Sequence, residues 1–182
     1  MRSAKTLNLL AVAHNYKDQG KKAAVIKPAL DTRTHKVWSR AGLEIEADAV
    51  ISTPSQLNLD KFLDYHCLLV DEAHFLSSEL VEYFRFISFK HDIPVICYGL
   101  RTDFLGNLFE GARRLFELAD SIEEIKVTCQ FCNKKAIFNM RLFGGKPTKE
   151  GPQVLVGDDD YVPTCYGCYF NRLGHPFTLE CS

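Results

Sequence analysis

Leu68-Leu69-Val70-Asp71-Glu72-Ala73-His74 decides the architecture. Three aliphatic residues without polar alternation mark a strand buried on both faces, and such strands belong to parallel sheets covered by helices. The run ends in two adjacent carboxylates. A closing acidic pair can simply cap the strand and open a turn. Beside a phosphate-binding loop, one carboxylate can instead reach a Mg²⁺ shell while its neighbour acts on a nucleophile. The surroundings of the strand decide between these uses.

Working outward, residues 23–27 form a second apolar run closed by Pro28, and residues 94–98 a third, rich in β-branched residues and ending at Gly99. Over residues 5–19, Leu7, Leu10, Ala11 and Ala13 recur at near-helical spacing, with Gly20 where a C-terminal cap belongs. Residues 77–89 and 107–118 read as amphipathic helices. Strands alternating with helices predict a mostly parallel α/β sheet. The opening Met1-Arg2-Ser3-Ala4-Lys5-Thr6 runs straight into the first helix. A phosphate-binding loop places a lysine against the β- and γ-phosphates and a following hydroxyl on Mg²⁺ at a helix N-terminus. Lys5 and Thr6 suit those roles, although the opening glycine of such a loop would precede residue 1. Ala4 stands where the last glycine is usual, and a positive φ there would strain it. Alone, four such residues carry little weight. Beside Asp71-Glu72 they define a candidate ATP and Mg²⁺ site with Glu72 as its base.

The texture changes near residue 126. The predicted boundary puts an α/β domain at 1–126 and a second module at 127–182, where short alternating stretches at 136–142 and 153–156 lie among glycines and prolines. Four of the seven cysteines fall here as two C-x-x-C pairs, Cys129 with Cys132 and Cys165 with Cys168. Two such knuckles can supply the tetrahedral Cys₄ shell of a closed, structural Zn²⁺ site, and a module too small for a large core gains most from that cross-link. Cys67 and Cys97 lie in strand-like runs, where a thiol is usually a small core residue.

Lys and Arg number 22 against 23 for Asp and Glu over 182 residues, 46% of them hydrophobic. A formal charge of −1 provides no global field for a nucleic-acid backbone. No apolar run approaches the roughly 20 residues of a membrane span, and the N-terminus lacks the pattern of a signal peptide. The expectation is a cytoplasmic protein with neither nucleic-acid nor membrane partners.

Together with the cysteine pairs, Met1-Arg2-Ser3-Ala4-Lys5-Thr6, residues 69–76, Cys97-Tyr98-Gly99-Leu100-Arg101-Thr102-Asp103-Phe104 and Tyr161 resemble the type II, zinc-containing thymidine kinases in order and spacing. The likeness extends to Lys-Pro-Ala-Leu-Asp-Thr-Arg at 27–33 and runs over nearly the whole chain. It implies a homotetrameric enzyme that moves the γ-phosphate of ATP to the 5′-hydroxyl of thymidine. The implied fold is an α/β P-loop (RecA-like) domain, with a small zinc-binding β module that carries a lasso loop. By position, Ser3, Ala4, Lys5, Thr6, Asp71, Ala73 and His74 would serve ATP and Mg²⁺, with Asp31 and Arg33 close to the phosphates. Glu72 would take the proton. Met1, Phe75, Leu100, Phe104, Phe109 and Tyr161 would enclose the nucleoside, and Val154, Leu155, Val156 and Gly157 would offer main-chain hydrogen bonds. Members of that family open with a strand and a Gly-x-Met-x-Ser-Gly-Lys loop, whereas this chain opens at the Met.

Three other readings compete. Asp71-Glu72-Ala73-His74 spells the DEAH signature of helicases, but a second motor lobe and a basic channel do not fit in this chain. Lys134, Lys135, Arg141, Lys146 and Lys149 among aromatics allow a zinc-ribbon nucleic-acid module, although such clusters are commonly solvated faces. An N-terminally truncated, impaired relative that keeps the zinc fold is the third.

Overall fold

The computed structural model describes residues 4–30, 36–38, 42, 44–154 and 161–174. They fall into two compact units: Ala4–Arg101 with Phe109–Ile122, and Thr102–Leu108 with the chain from residue 123 onward.

In the larger unit the predicted buried runs become β1 (Ala23–Pro28), β5 (Cys67–Val70) and β6 (Val95–Cys97). The chain also forms β2 (Lys36–Trp38), β3 (Glu44–Glu46) and β4 (Ala49–Ile51). A parallel sheet runs in the order β4-β1-β5-β6, while β2 and β3 form a separate antiparallel pair. Side chains alternate across each strand, so Ala24, Ile26, Leu68 and Val70 enter one core cluster and Val25, Cys67 and Leu69 the other. Leu80, Val81, Phe84 and Ile87 of α2 (Ser78–His91) cover the first face. Leu9, Leu10 and Ala13 of α1 (Lys5–Asp18) cover the second. Burial on both sides explains why these strands read as continuous apolar runs.

Helix α3 (Glu110–Leu118) starts three residues later than its periodicity suggests. Residues 102–108 are instead a tight loop in the other unit, bridged between Thr102 and Leu108. The Asp103 carboxylate accepts the Leu105 and Asn107 N–H groups, each at 2.9 Å. That local bonding draws the backbone away from helix.

In the cysteine-bearing unit, β7 (Phe138–Phe143) lies between β8 (Lys146–Pro147) and β9 (Tyr161–Thr164), all antiparallel, followed by α4 (Tyr166–Leu173). Of the alternating stretch at 153–156, Gln153 and Val154 lie in a loop, and residues 155 and 156 lie outside the described ones. The apolar packing is small and aromatic: the Phe138 ring stacks on Tyr169 at 4.4 Å, and the Tyr169 hydroxyl donates to the Phe104 carbonyl at 2.6 Å. Among the described residues, no helix is long and apolar enough to cross a membrane.

Candidate functional site

The end of β5 is fixed by its neighbours. The Asp71 N–H donates to the Ile26 carbonyl on β1, and the Ala73 N–H to the Tyr98 carbonyl. Between them Glu72 adopts the left-handed region, φ 48° and ψ 37°, which is uncommon outside glycine and costs of order 1 kcal/mol or more. The surrounding sheet bonds hold that turn in place.

Glu72 Oε2 lies 3.5 Å from Lys5 Nζ and 3.4 Å from His74 Nδ1. Lys5 is the first residue of α1 and is buried, so its ammonium sits where the helix also presents unpaired backbone N–H groups. Thr6 follows in the same turn, half-buried. Ala4 caps the helix at φ −77°, a right-handed value, so the alanine carries none of the strain its replacement of glycine suggests.

His74 is buried, and its Nδ1 accepts the Leu100 N–H at 3.2 Å. Phe75 and Phe109 flank the imidazole, with ring centroids at 4.0 and 4.6 Å. Beside them Ala73 is buried and Leu100 half-buried.

Asp71 is 4% exposed, and among the described residues its Oδ1 has no hydrogen-bond partner. Burial, then the neighbouring Glu72 carboxylate, lift its pKa from 3.8 to about 6, while Lys5 and Lys27 pull the other way. Buried polar atoms are rarely left unpaired in folded proteins, and an orphaned carboxylate oxygen suits a hard cation that takes oxygen ligands. Cys67 and Cys97 stand apart from this chemistry. Burial raises both thiols, that of Cys97 to about 12, which leaves them protonated and inert.

The second unit holds Phe104, Val154 and Tyr161. Phe104 is buried beneath the Arg141 guanidinium, 3.6 Å from ring centroid to Cζ. Of the basic cluster read from the sequence, Lys134, Lys135, Lys146 and Lys149 are exposed, Lys135 pairing with Glu124 at 2.8 Å, and only Arg141 is buried. The bonds that tie Arg141 to the Pro152 and Gln153 carbonyls and Gln153 to Asp103 are not legible in the sequence, because nothing local distinguishes these residues from surface polar groups. Met1, Ser3, Asp31, Arg33, Leu155, Val156 and Gly157 lie outside the described residues.

The four cysteines come together as their spacing predicts. Their sulfurs all lie within 4.8 Å of one another. Cys132 Sγ is 3.6 Å from that of Cys165 and 3.7 Å from that of Cys168. A tetrahedral shell with metal–sulfur bonds near 2.3 Å spaces its sulfurs by about 3.8 Å, so the cluster fits a metal ion such as zinc. Each knuckle adds an N–H···S contact, Phe131 to Cys129 at 3.5 Å and Cys168 to Cys165 at 3.4 Å. Such donors favour thiolates over thiols.

The sequence profile of the thymidine kinase family matches residues 1–169. The thymidine kinase of Enterobacteria phage T4 is 43% identical over 172 residues, 91% of this chain and 89% of its own. That of Streptococcus pyogenes serotype M3 is 41% identical over 179 residues, and that of Streptococcus agalactiae serotype Ia 42% over 176, each match covering 94% of this chain and 93% of the relative. A buried strand ending in Asp71-Glu72 beside Lys5, a four-cysteine cluster and identity above 40% over most of the length agree: the chain belongs to the thymidine kinase family.

Proposed function

We propose that the protein transfers the γ-phosphoryl group of ATP to the 5′-hydroxyl of thymidine. The observation that carries this reading within the chain is Glu72 Oε2, 3.5 Å from Lys5 Nζ at the mouth of a buried strand. Glu72 accepts the hydroxyl proton as the new O–P bond forms and the bond to the leaving ADP breaks. Lys5 offers its ammonium to the phosphates, Ser3 and Ala4 are assigned to the same ATP site, and Thr6 and Asp71 would hold Mg²⁺. Bound Mg²⁺ would neutralise charge on the β- and γ-phosphate oxygens. Asp31 and Arg33 are assigned near the phosphates. Because phosphoryl transfer is chiefly positioning and charge neutralisation, one carboxylate base is sufficient protein chemistry.

Nucleoside binding is assigned to Met1, Phe75, Leu100, Phe104, Phe109 and Tyr161, with main-chain bonds from Val154, Leu155, Val156 and Gly157. The metal of the Cys₄ cluster is Zn²⁺, coordinatively closed and therefore structural. The organisation is an α/β P-loop domain at 1–126 and a zinc-binding lasso domain at 127–182. A cytoplasmic homotetramer with no nucleic-acid or membrane partner completes the reading.

The test compares the protein with Glu72→Gln for ATP-dependent formation of thymidine monophosphate in Mg²⁺, counting zinc on the same samples. Glutamine keeps the shape but cannot take the proton, so turnover is expected to fall by at least about 100-fold with zinc unchanged. Equal turnover in the two proteins would remove Glu72 from the mechanism. An inactive parent with full zinc would reduce the chain to the fold of its family.

A further inference from the structure

Arg141 is 3% exposed, and a buried guanidinium without a counter-charge is costly unless every donor is satisfied. Among the described residues no carboxylate is its partner. Its Nε donates to the Tyr161 hydroxyl at 3.1 Å. Nη1 donates to the carbonyls of Pro152 at 2.7 Å and Glu150 at 3.4 Å. Nη2 donates to the Gln153 carbonyl at 3.3 Å and again to the Tyr161 hydroxyl at 2.5 Å. These contacts occupy all of the roughly five N–H groups a guanidinium carries. Nothing remains for a ligand, so Arg141 acts on the protein itself.

The fold prepares this arrangement. Arg141 and Tyr161 face each other across the β7–β9 ladder. The loop after β8 wraps over the guanidinium at Gly151, where φ is +101° and an added Cβ would stand 3.1 Å from Arg141 Nη1. Gln153 is held from its other side, its Nε2 donating to Asp103 Oδ2 at 2.9 Å. A further consequence falls on Tyr161. Its hydroxyl oxygen already accepts two N–H bonds, which engages both lone pairs and leaves only the O–H to offer. Among the described residues no group accepts that hydrogen.

We propose that Arg141 is a positioning residue for nucleoside recognition: it pins the 150–153 backbone and the Tyr161 hydroxyl so that Tyr161 presents only a proton, toward an acceptor oxygen of the bound nucleoside. This rests on the thymidine reading above. Lysine keeps the charge but lacks the planar fork that joins the loop to the tyrosine.

The experiment measures thymidine binding calorimetrically without ATP for the parent, Arg141→Lys, Tyr161→Phe and the double variant. Zinc content and amide hydrogen exchange over 149–154 are read on the same samples. Each single variant is expected to weaken thymidine binding by about 10-fold or more, and the double variant by little more than the worse single, as for two groups acting through one contact. Exchange over 150–153 should accelerate in Arg141→Lys, with one zinc per chain retained. Parent-like affinity or exchange in Arg141→Lys would overturn the proposal, and so would additive losses in the double variant. If Arg141→Lys loses its zinc or its fold, Tyr161→Phe decides, since it spares the three carbonyl bonds, and unchanged affinity there also overturns it. A parent that binds no thymidine defeats the functional reading itself, an outcome distinct from a defect confined to the variants.

Discussion

Asp71 shows how a residue that is costly to the fold can stand where the proposed reaction calls for it. Its folded pKa of about 6 lies above the ordinary 3.8, so between those values the folded chain holds more protons than the unfolded one. Stability therefore falls as pH rises through that window, and above it the ionised, buried carboxylate costs about 3 kcal/mol. Asp71→Asn should raise the metal-free stability at pH 7 by about 1–3 kcal/mol and flatten its dependence between about pH 4 and 6, while removing Mg²⁺-dependent turnover. Urea denaturation at several pH values checks the first effect. A variant no more stable than the parent at pH 7 would mean the carboxylate is not strained by burial. The residues split in how legible they were. The cysteine knuckles could be read from spacing because metal-ligand geometry is local. The left-handed turn at Glu72 could not, since neighbouring strands impose it, and Arg141 resembled any surface cation until its acceptors arrived from 9 to 20 residues away.

Among the elements, the short turn Ala73–Phe75 carries His74 and Phe75 and is held from above by α3. Gly111 makes that contact possible. A Cβ there would stand 2.6 Å from the Ala73 and Leu76 carbonyl oxygens, closer than any packing allows. Gly111→Ala must push the turn and helix apart, at an expected cost of about 1–3 kcal/mol and with loss of turnover through displaced His74. Chemical denaturation and steady-state kinetics on the same variant check both halves. Unchanged stability would show that α3 shifts freely. Helix α2 shows the opposite case, an element written in its own sequence. Ser77 caps it by accepting the Leu80 N–H at 3.2 Å, and apolar residues at helical spacing face the sheet. Helix α3 was misread at its start because Asp103 captures the preceding backbone, an interaction outside any periodicity.

At the scale of the molecule, the two units are stabilised by different physics. The larger unit buries two apolar clusters on either side of its parallel sheet. The smaller one has short strands, a few stacked rings and four clustered sulfurs. Removing the metal with a chelator should therefore open residues 123–174 to proteolysis while residues 5–100 stay protected, and restored zinc should reverse it. Cleavage sites mapped by mass spectrometry decide the matter. Equal protection with and without metal would mean the aromatic packing alone is enough.

The sequence by itself determined the α/β alternation, the buried strand ending in Asp71-Glu72, the four cysteines with metal-ligand spacing and the family. Each depends on short-range spacing or on residue types that admit few alternatives. Only the tertiary structure decided that Lys5 and His74 converge on one oxygen of Glu72, that Asp71 keeps an unpaired oxygen in the interior, and that Arg141 is enclosed by carbonyls. Those relations join residues up to 67 positions apart, and no local pattern records them, because they exist only once the strands have fixed their register and the loops have closed over it.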